Sequence, residues 1–446
     1  MLPGPFSIAS LRKLLDHLCD AFWLLPSAMV LIGIAGAMGM LAIDRNGIVP
    51  AVLLKQDWLY NGGGTGARTL LGAVASSTIG VAGTVFSITI AALTLAAGQM
   101  VPRLLRNFVR DRGNQFTLGA FLGTFSYSLM VLRSVRDQGG TTFVPSLSLT
   151  VSILLAFLCV ATLVYFVGHM AGRINVSTVI GLVSNDVRSS FERLTADVAQ
   201  PEAPPASYWR VAAVVLDSRH GYLLHLDVDG LANWAAEHGT AIGLLVRPGD
   251  LVLPGAPIAL TSTPVAGTED AIRDATALGP SRSSSEDFEY AIRQLVEIAV
   301  RALSPGINDP HTAISVIDRL GLALSEVAPV HLPTGVTLRD GSVALVVPGI
   351  DYDGVVDAMF HLIRQNATRS TAVLMRMLEV LTSVVSCKHD KKRGKTLQRH
   401  ADLILGDAER HIDNPSDLDD VRMRYRGFRA MRERGPLGCM GALEPE

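Results

Sequence analysis

The sequence predicts an integral membrane α-helical domain of four spans, followed by a cytoplasmic α+β part holding a small β-barrel or sandwich module and a helical module. Three observations predict it. Of 446 residues, 49 % are hydrophobic and only 18 % are charged, where a soluble domain carries about 25 % charged residues; the mean hydropathy is +0.33. Four stretches without charge are each long enough for the roughly 20 apolar residues that a helix needs to cross a bilayer. After the fourth stretch the pattern changes to short β-branched runs and then to amphipathic helical spacing. The expected divisions are residues 1–173 for the spans, 174–206 for a connecting helix and linker, 207–265 for the β module and 266–446 for a mainly helical domain.

The first span runs from Phe22 to Ile43. It follows Arg12 and Lys13 like a secretory signal, but it exceeds a signal's apolar region and three spans follow, so it is expected to stay uncleaved. The second is uncharged between Arg68 and Arg103, the third lies between Arg112 and Arg133, and the fourth lies within Gln138–Gly172, starting near Pro145. Arginine and lysine near span ends set orientation. Arg12 and Lys13, the segment Arg103–Asn114, and Arg173 with Arg188 fall on one side. Arg45, Lys55, Arg68, Arg133 and Arg136 on the other side make the bias moderate. It places both termini in the cytoplasm.

The second span holds 34 uncharged residues, about 50 Å of helix against a hydrocarbon core of about 30 Å. Ser77, Gly80, Thr84, Ser87, Ala91, Thr94 and Gly98 share one side of it, and Ile79, Phe86, Ile90 and Leu93 are assigned to the opposite side. The small and polar face serves either close helix packing or one wall of a hydrated pathway. Apart from His169 at the end of the fourth span, no span contains an ionisable interior group, which argues against a coupled transporter and leaves a passive channel open. Gly119 and Gly123 form a G-x-x-x-G in the third span, a helix-packing motif. After the second span, Arg103, Arg106 and Arg110 line one side of Val101–Gly113, with Leu104, Leu105, Phe108 and Val109 on the other. This reads as an interfacial helix with its arginines toward anionic headgroups.

Gln200–Pro205 marks a boundary. Tyr208–Thr261 reads as strands, at Val211–Leu216, Gly221–Val228, Ile242–Val246 and Leu251–Leu253. Arg247–Ala259 resembles the hairpin of biotinyl/lipoyl-type barrels but lacks their carrier lysine. Ser283–Glu286 offers a capping box for a helix along Phe288, Ile292, Leu295, Ala299 and Leu303, ending at Ser304-Pro305-Gly306. Asp309-Pro310 caps and begins the next helix, to about Val327. Val343–Val347 reads as a strand and Asp351–Ser386 and Thr396–Asn414 as helices, with Lys388–Lys395 a solvated loop and Arg422–Arg434 a frayed basic tail.

The segments PRLLRNFVRDR from Pro102 to Arg112 and RALSPGINDPHTA from Arg301 to Ala313, with the second and third spans, resemble a bacterial predicted-membrane-protein family, domain of unknown function 2254. The resemblance extends over nearly the whole chain. It implies a four-span bacterial inner-membrane protein with a soluble C-terminal domain and transfers no catalytic residue, substrate or cofactor.

Asn308, Asp309, His311 and Thr312 gather polar groups at a helix N-terminus, which can hold an anion; the competing reading is a tight helix–helix corner. Cys19, Cys159, Cys387 and Cys439 form no close pair, so neither disulfides nor a cysteine zinc site is expected. His220, His225 and Asp227 do not converge as metal ligands, and no catalytic, phosphate-loop or dinucleotide motif is present. No enzyme, metal or cofactor is therefore assigned. A net charge of −2 gives no pull toward nucleic acid. The expected partners are the lipid bilayer, further copies of the chain and ions. The functional expectation is an oligomeric passive channel with a cytoplasmic vestibule domain; the alternative is a membrane-anchored sensor or scaffold.

Overall fold

The computed structural model describes residues 22–46, 60, 63–99, 111–138, 141–173, 176–194, 201–282, 287–387 and 391–441. The chain divides into two compact units, Met1–Asn175 and Val176–Glu446.

The first unit is built on α1 (Leu24–Arg45), α2 (Gly64–Gln99), α3 (Arg112–Ser134) and α4 (Ser146–Arg173), with a hairpin of β1 (Arg136–Gln138) and β2 (Thr141–Phe143) between α3 and α4. All four helices are long and apolar enough to cross a membrane. The least apolar of them, α3, with a mean hydropathy of 1.3, is also the most enclosed, half of its span being buried. The two facts have one cause. α3 touches each of the other helices, and its hydroxyls and glycines find partners there instead of lipid. Ser128 and Ser152 of α4 share a buried hydrogen bond of 2.8 Å, and the Tyr127 hydroxyl donates to the Ser148 carbonyl at 3.1 Å. The G-x-x-x-G expectation is met. A Cβ on Gly119 would stand 2.5 Å from Met29 Sδ, and one on Gly33 of α1 would stand 2.4 Å from the Gly123 carbonyl oxygen. Such contact requires glycine.

Polar caps fix the helix ends. Asp44, near the end of α1, accepts from the Leu147 and Ser148 amides at 3.2 and 3.0 Å and from the Ser148 hydroxyl at 2.6 Å. It thus caps α4 from another helix, a favourable place for a carboxylate. Arg68 of α2 donates to the Val135 carbonyl at 3.1 Å. Asp111 caps α3 through the Gly113 amide and meets His169 Nε2 of α4 at 2.6 Å.

The second unit begins with α5 (Val176–Leu194), whose buried Ile180, Val183, Val187 and Phe191 face helices of the same unit. Its mixed part contains β3 (Ala213–Asp217), β4 (Gly221–Leu226), α6 (Val228–Glu237), β5 (Ile242–Leu244), β6 (Leu251–Val252), β7 (Ala256–Thr261), α7 (Thr268–Ala275) and β8 (Thr276–Gly279). The helical part has α8 (Phe288–Ala302), α9 (Pro310–Val327), α10 (Tyr352–Asn366), α11 (Thr371–Ser386), α12 (Lys391–His411) and α13 (Pro415–Gly441), with β9 (Val336–Arg339) and β10 (Ser342–Val346) inserted after α9.

The expected barrel does not close. The strands form an open five-stranded sheet, β3-β7-β5-β10-β9, and a three-stranded sheet, β6-β4-β8. β6 pairs with β4 whereas β7 pairs with β3 and β5, so Arg247–Ala259 is not a hairpin: its two strands join different sheets. Helices cover the apolar surface in place of strand closure. Leu231, Ala232 and Ala235 of α6 share a core with Ile242, Ile258, Ala344, Leu345 and Ile272. α6 itself interrupts the stretch read as strands, because Asp227 accepts from the Gly230 amide at 2.9 Å and starts a helix whose buried side is small.

Two expectations for the C-terminal part also change. From Lys391 on, the basic run is helical, and Arg393 donates to the carbonyls of Val327, Ala328 and Val330 at 2.9, 2.7 and 2.8 Å, closing the C-terminal end of α9. Arg422–Arg434 is not a frayed tail but part of α13, which buries Val421, Phe428 and Ala430 against its neighbours and bonds Arg424 to Glu379 of α11 at 3.0 Å. The Ser283–Glu286 box lies outside the described residues, and Asp287 caps α8 through the Tyr290 amide.

The α1–α3 crossing makes a direct prediction. Gly33→Val is expected to lower the thermal stability of the detergent-solubilised chain by about 1–3 kcal/mol, the usual range for overpacking. Gly36→Ala, where a Cβ would meet nothing within 4 Å, is expected to leave it unchanged. Equal melting temperatures for the two variants would remove the crossing from the account.

Candidate functional site

The sequence-predicted residues of the second span fall on α2, an unbroken helix of 36 residues. Its packing face is neither of the two expected ones. Ala67, Leu71, Ala75, Thr78, Ala82, Val85, Thr89 and Ala92 are buried. They meet α3 and α4 through Tyr127, Val131 and Leu149 near one end and Phe121, Cys159 and Phe166 near the other. Ser77, Gly80, Thr84, Ser87, Ala91 and Thr94 are exposed on the single chain, as are Ile79, Phe86 and Ile90. Gly98 lies in the last turn of the same helix. At 100° per residue the small and polar face points away from the buried stripe. Its hydroxyls are partly satisfied by the helix itself: Ser77 donates to the Val74 carbonyl at 3.1 Å, Thr84 to Gly80 at 3.2 Å and Thr94 to Ile90 at 2.9 Å. Arg103, Arg106 and Arg110 lie outside the described residues.

The Ser304–Thr312 corner is built from its own polar groups. The Asn308 amide donates to the Ser304 carbonyl at 2.9 Å and the Asp309 amide to the Ala302 carbonyl at 2.8 Å, with Asn308 at φ +50°. Asp309 Oδ1 accepts from the Thr312 amide at 3.1 Å, and the Thr312 hydroxyl donates to Oδ2 at 2.6 Å. Pro310 occupies the first turn of α9, as the spacing requires. Asp309's own carboxylate therefore takes the seat that an anion would fill, and His311 and Asn308 face outward. The Thr312 hydroxyl bond holds the Asp309 carboxyl below the ordinary carboxylate range.

A third group of residues has no counterpart among the sequence candidates. Asp357 and His361 stand one turn apart on α10, and His400 faces them from α12. Their ligand atoms all lie within 4.8 Å of one another. His400 Nε2 is 2.8 Å from Asp357 Oδ1, His361 Nδ1 is 3.8 Å from the same oxygen, and Arg399 donates to it at 2.6 Å. Burial pushes His400 down to about 4, against the opposing pull of Asp357, so its imidazole is neutral at pH 7. Burial raises the Asp357 carboxyl, but bonds from Arg399 and His400 outweigh it and hold the group below its ordinary value. A neutral imidazole beside an ionised carboxylate is a donor set for a borderline divalent metal. The Asp-x-x-x-His spacing on a predicted helix was the available signal; His400, some forty residues on, joins it only through the packing of α12 on α10. His220, His225 and Asp227 form no such group, and Asp227 serves as the α6 cap.

The corner yields a stability prediction. Asp309→Ala is expected to cost about 0.5–2 kcal/mol, the usual value of an N-cap, read as a lower melting temperature of the purified chain. Because the folded carboxyl titrates below its unfolded value, its contribution is present above the unfolded value and is lost as pH falls through the folded one. The difference between wild type and variant should shrink over that acid range, and a pH-independent difference would contradict the assignment.

The comparisons with known proteins agree with this architecture. The chain is 32 % identical over 422 residues to uncharacterized proteins of Mycobacterium tuberculosis and Mycobacterium bovis, covering 91 % of this chain and 80 % of theirs. No solved structure gives a significant match. Residues 20–383, which contain all four apolar helices, the mixed sheets and most of α11, match the family described as predicted membrane protein (DUF2254), and the chain belongs to that family.

Proposed function

We propose that the protein is an oligomeric passive channel of the bacterial inner membrane, in which the outward face of α2 lines a pathway shared between copies. The observation that carries this reading is the exposure of Ser77, Gly80, Thr84, Ser87, Ala91 and Thr94 on a helix that packs within its own chain through a different stripe. Serine and threonine are poor lipid-facing choices unless another helix or water meets them. With their hydrogens directed to helix carbonyls, the hydroxyls of Ser77, Thr84 and Thr94 present oxygen lone pairs outward, a lining that suits small cations. The lack of Asp, Glu, Lys and Arg in the interior of the spans, with His169 near the end of α4, fits passive conduction.

Purified protein in liposomes is expected to pass ions. Thr84→Leu and Ser87→Leu should abolish that flux, since apolar constrictions close pores by dewetting. Leucine at Phe86 or Ile90 should leave it intact. No flux across a range of voltage and membrane tension, with a monomer in detergent, would favour the anchored-sensor alternative.

Orientation belongs to the same proposal: both termini, and with them the Val176–Glu446 unit, lie in the cytoplasm. A reporter fused after Glu446 should show cytoplasmic activity. Periplasmic activity would reverse the topology.

A further inference from the structure

We infer that Asp357, His361 and His400 form a binding site for a divalent transition metal of the zinc class, bridging α10 and α12. The inference is independent of the channel reading, since it concerns only helices of the Val176–Glu446 unit.

The geometry suits such an ion. A tetrahedral site with bonds of about 2.0 Å sets neighbouring ligand atoms about 3.3 Å apart. Asp357 Oδ1 lies 2.8 Å from His400 Nε2 and 3.8 Å from His361 Nδ1, values on either side of that separation. Shifts of about half an ångström would bring each of these two separations to the tetrahedral value, and all three ligand atoms already lie within 4.8 Å of one another. His361 and His400 already sit with ring centroids 5.4 Å apart.

Hydrogen bonding points the same way. The His400 side chain is 0 % exposed, and His361 Nδ1, which faces the same Asp357 oxygen, is buried with no hydrogen-bond partner among the described residues. The 3.8 Å from His361 Nδ1 to Asp357 is beyond hydrogen-bond reach. A group with only a packing role would be expected to satisfy this nitrogen, because buried polar atoms are overwhelmingly paired. A metal at the centre would take the His361 nitrogen that the fold leaves idle. Two nitrogens and one carboxylate oxygen select zinc, cobalt or nickel over magnesium or calcium, which prefer all-oxygen shells.

Two further features define the site. The side chains of Asp357 and His361 are 38 % and 37 % exposed, and with three protein ligands the shell is incomplete, so water would take the fourth position. Arg399, with a side chain 45 % exposed, donates to the same Asp357 oxygen. Its guanidinium competes with a dication for that carboxylate, and metal entry requires it to swing outward. Arg399 is thus a negative determinant of affinity, which a site with only a packing role would not reveal.

The test uses the full chain in detergent, free of any affinity tag and stripped with a chelator. Titration with Co²⁺ is expected to give one ion per chain with the visible absorption of a low-coordinate site, displaced by Zn²⁺ and unaffected by Mg²⁺. Zn²⁺ should raise the melting temperature. His361→Ala and Asp357→Asn, both at part-exposed positions, should weaken Co²⁺ binding by about tenfold or more, the scale seen when metal sites lose supporting groups. Arg399→Gln should tighten it by removing a competing charge. His400→Gln should also lose binding, with circular dichroism checking that it still folds. Absence of Co²⁺ absorption in the wild type overturns the inference, as does binding unchanged in folded His361→Ala.

Discussion

In a bilayer, helices gain little from burying apolar side chains against one another, because lipid tails are equally apolar. The membrane unit therefore depends on how closely α1 approaches α3. At Gly33 and Gly123 the two backbones come so near that a single added carbon would meet a carbonyl oxygen. That approach holds α1 on the central helix and sets the end of α1 where Asp44 can reach the first turn of α4. α2 and α4 then complete the packing around the hydroxyls of α3. A bulkier residue at the crossing would displace the caps along with the packing.

The same economy of polar groups runs through the Val176–Glu446 unit. Carboxylates begin helices at Asp227, Asp287, Asp309 and Asp351, and Arg393 ends one. Arg364 and Asp407 form an ion pair buried between α10 and α12. Such a pair costs desolvation and chiefly specifies which helices meet. It lies between the same two helices that carry Asp357, His361 and His400, so the register that satisfies the pair also brings those ligands together. By contrast, the exposed pairs of α13, such as Arg422 with Glu409, contribute little. α13 is held by Phe428 and Val421.

α2 links the structure to the proposed function through a division of its surface. Alanine, leucine, valine and threonine make one stripe that packs within the chain, and a second stripe of serine, threonine and glycine faces away. Small residues on both sides explain why hydrophobic periodicity alone misplaces its inner face. Alanine and serine allow similar approach distances, and only the position of α3 distinguishes the stripe that is used.

Features that act within a turn or two of the chain were legible in the residues alone. Uncharged length marks the four helices, since an unpaired charge in hydrocarbon is costly wherever the helix lies. Asp309-Pro310 marks the start of α9 because a cap and a fixed φ act within one turn. The G-x-x-x-G of α3 announces close packing but not its partner. Features that join distant segments were set by packing. β10 joins β5 in parallel although about a hundred residues separate them, and β6 and β7 part into different sheets although they are neighbours. Strand pairing follows the apolar surface that each segment can bury, and here α6 supplies that surface in place of a closed barrel. Likewise Asp357 and His361 are one helical turn apart in any reading, but the fold alone brings His400 to them. Spacing along a helix is fixed by its pitch, whereas convergence of two helices is fixed by how their side chains pack.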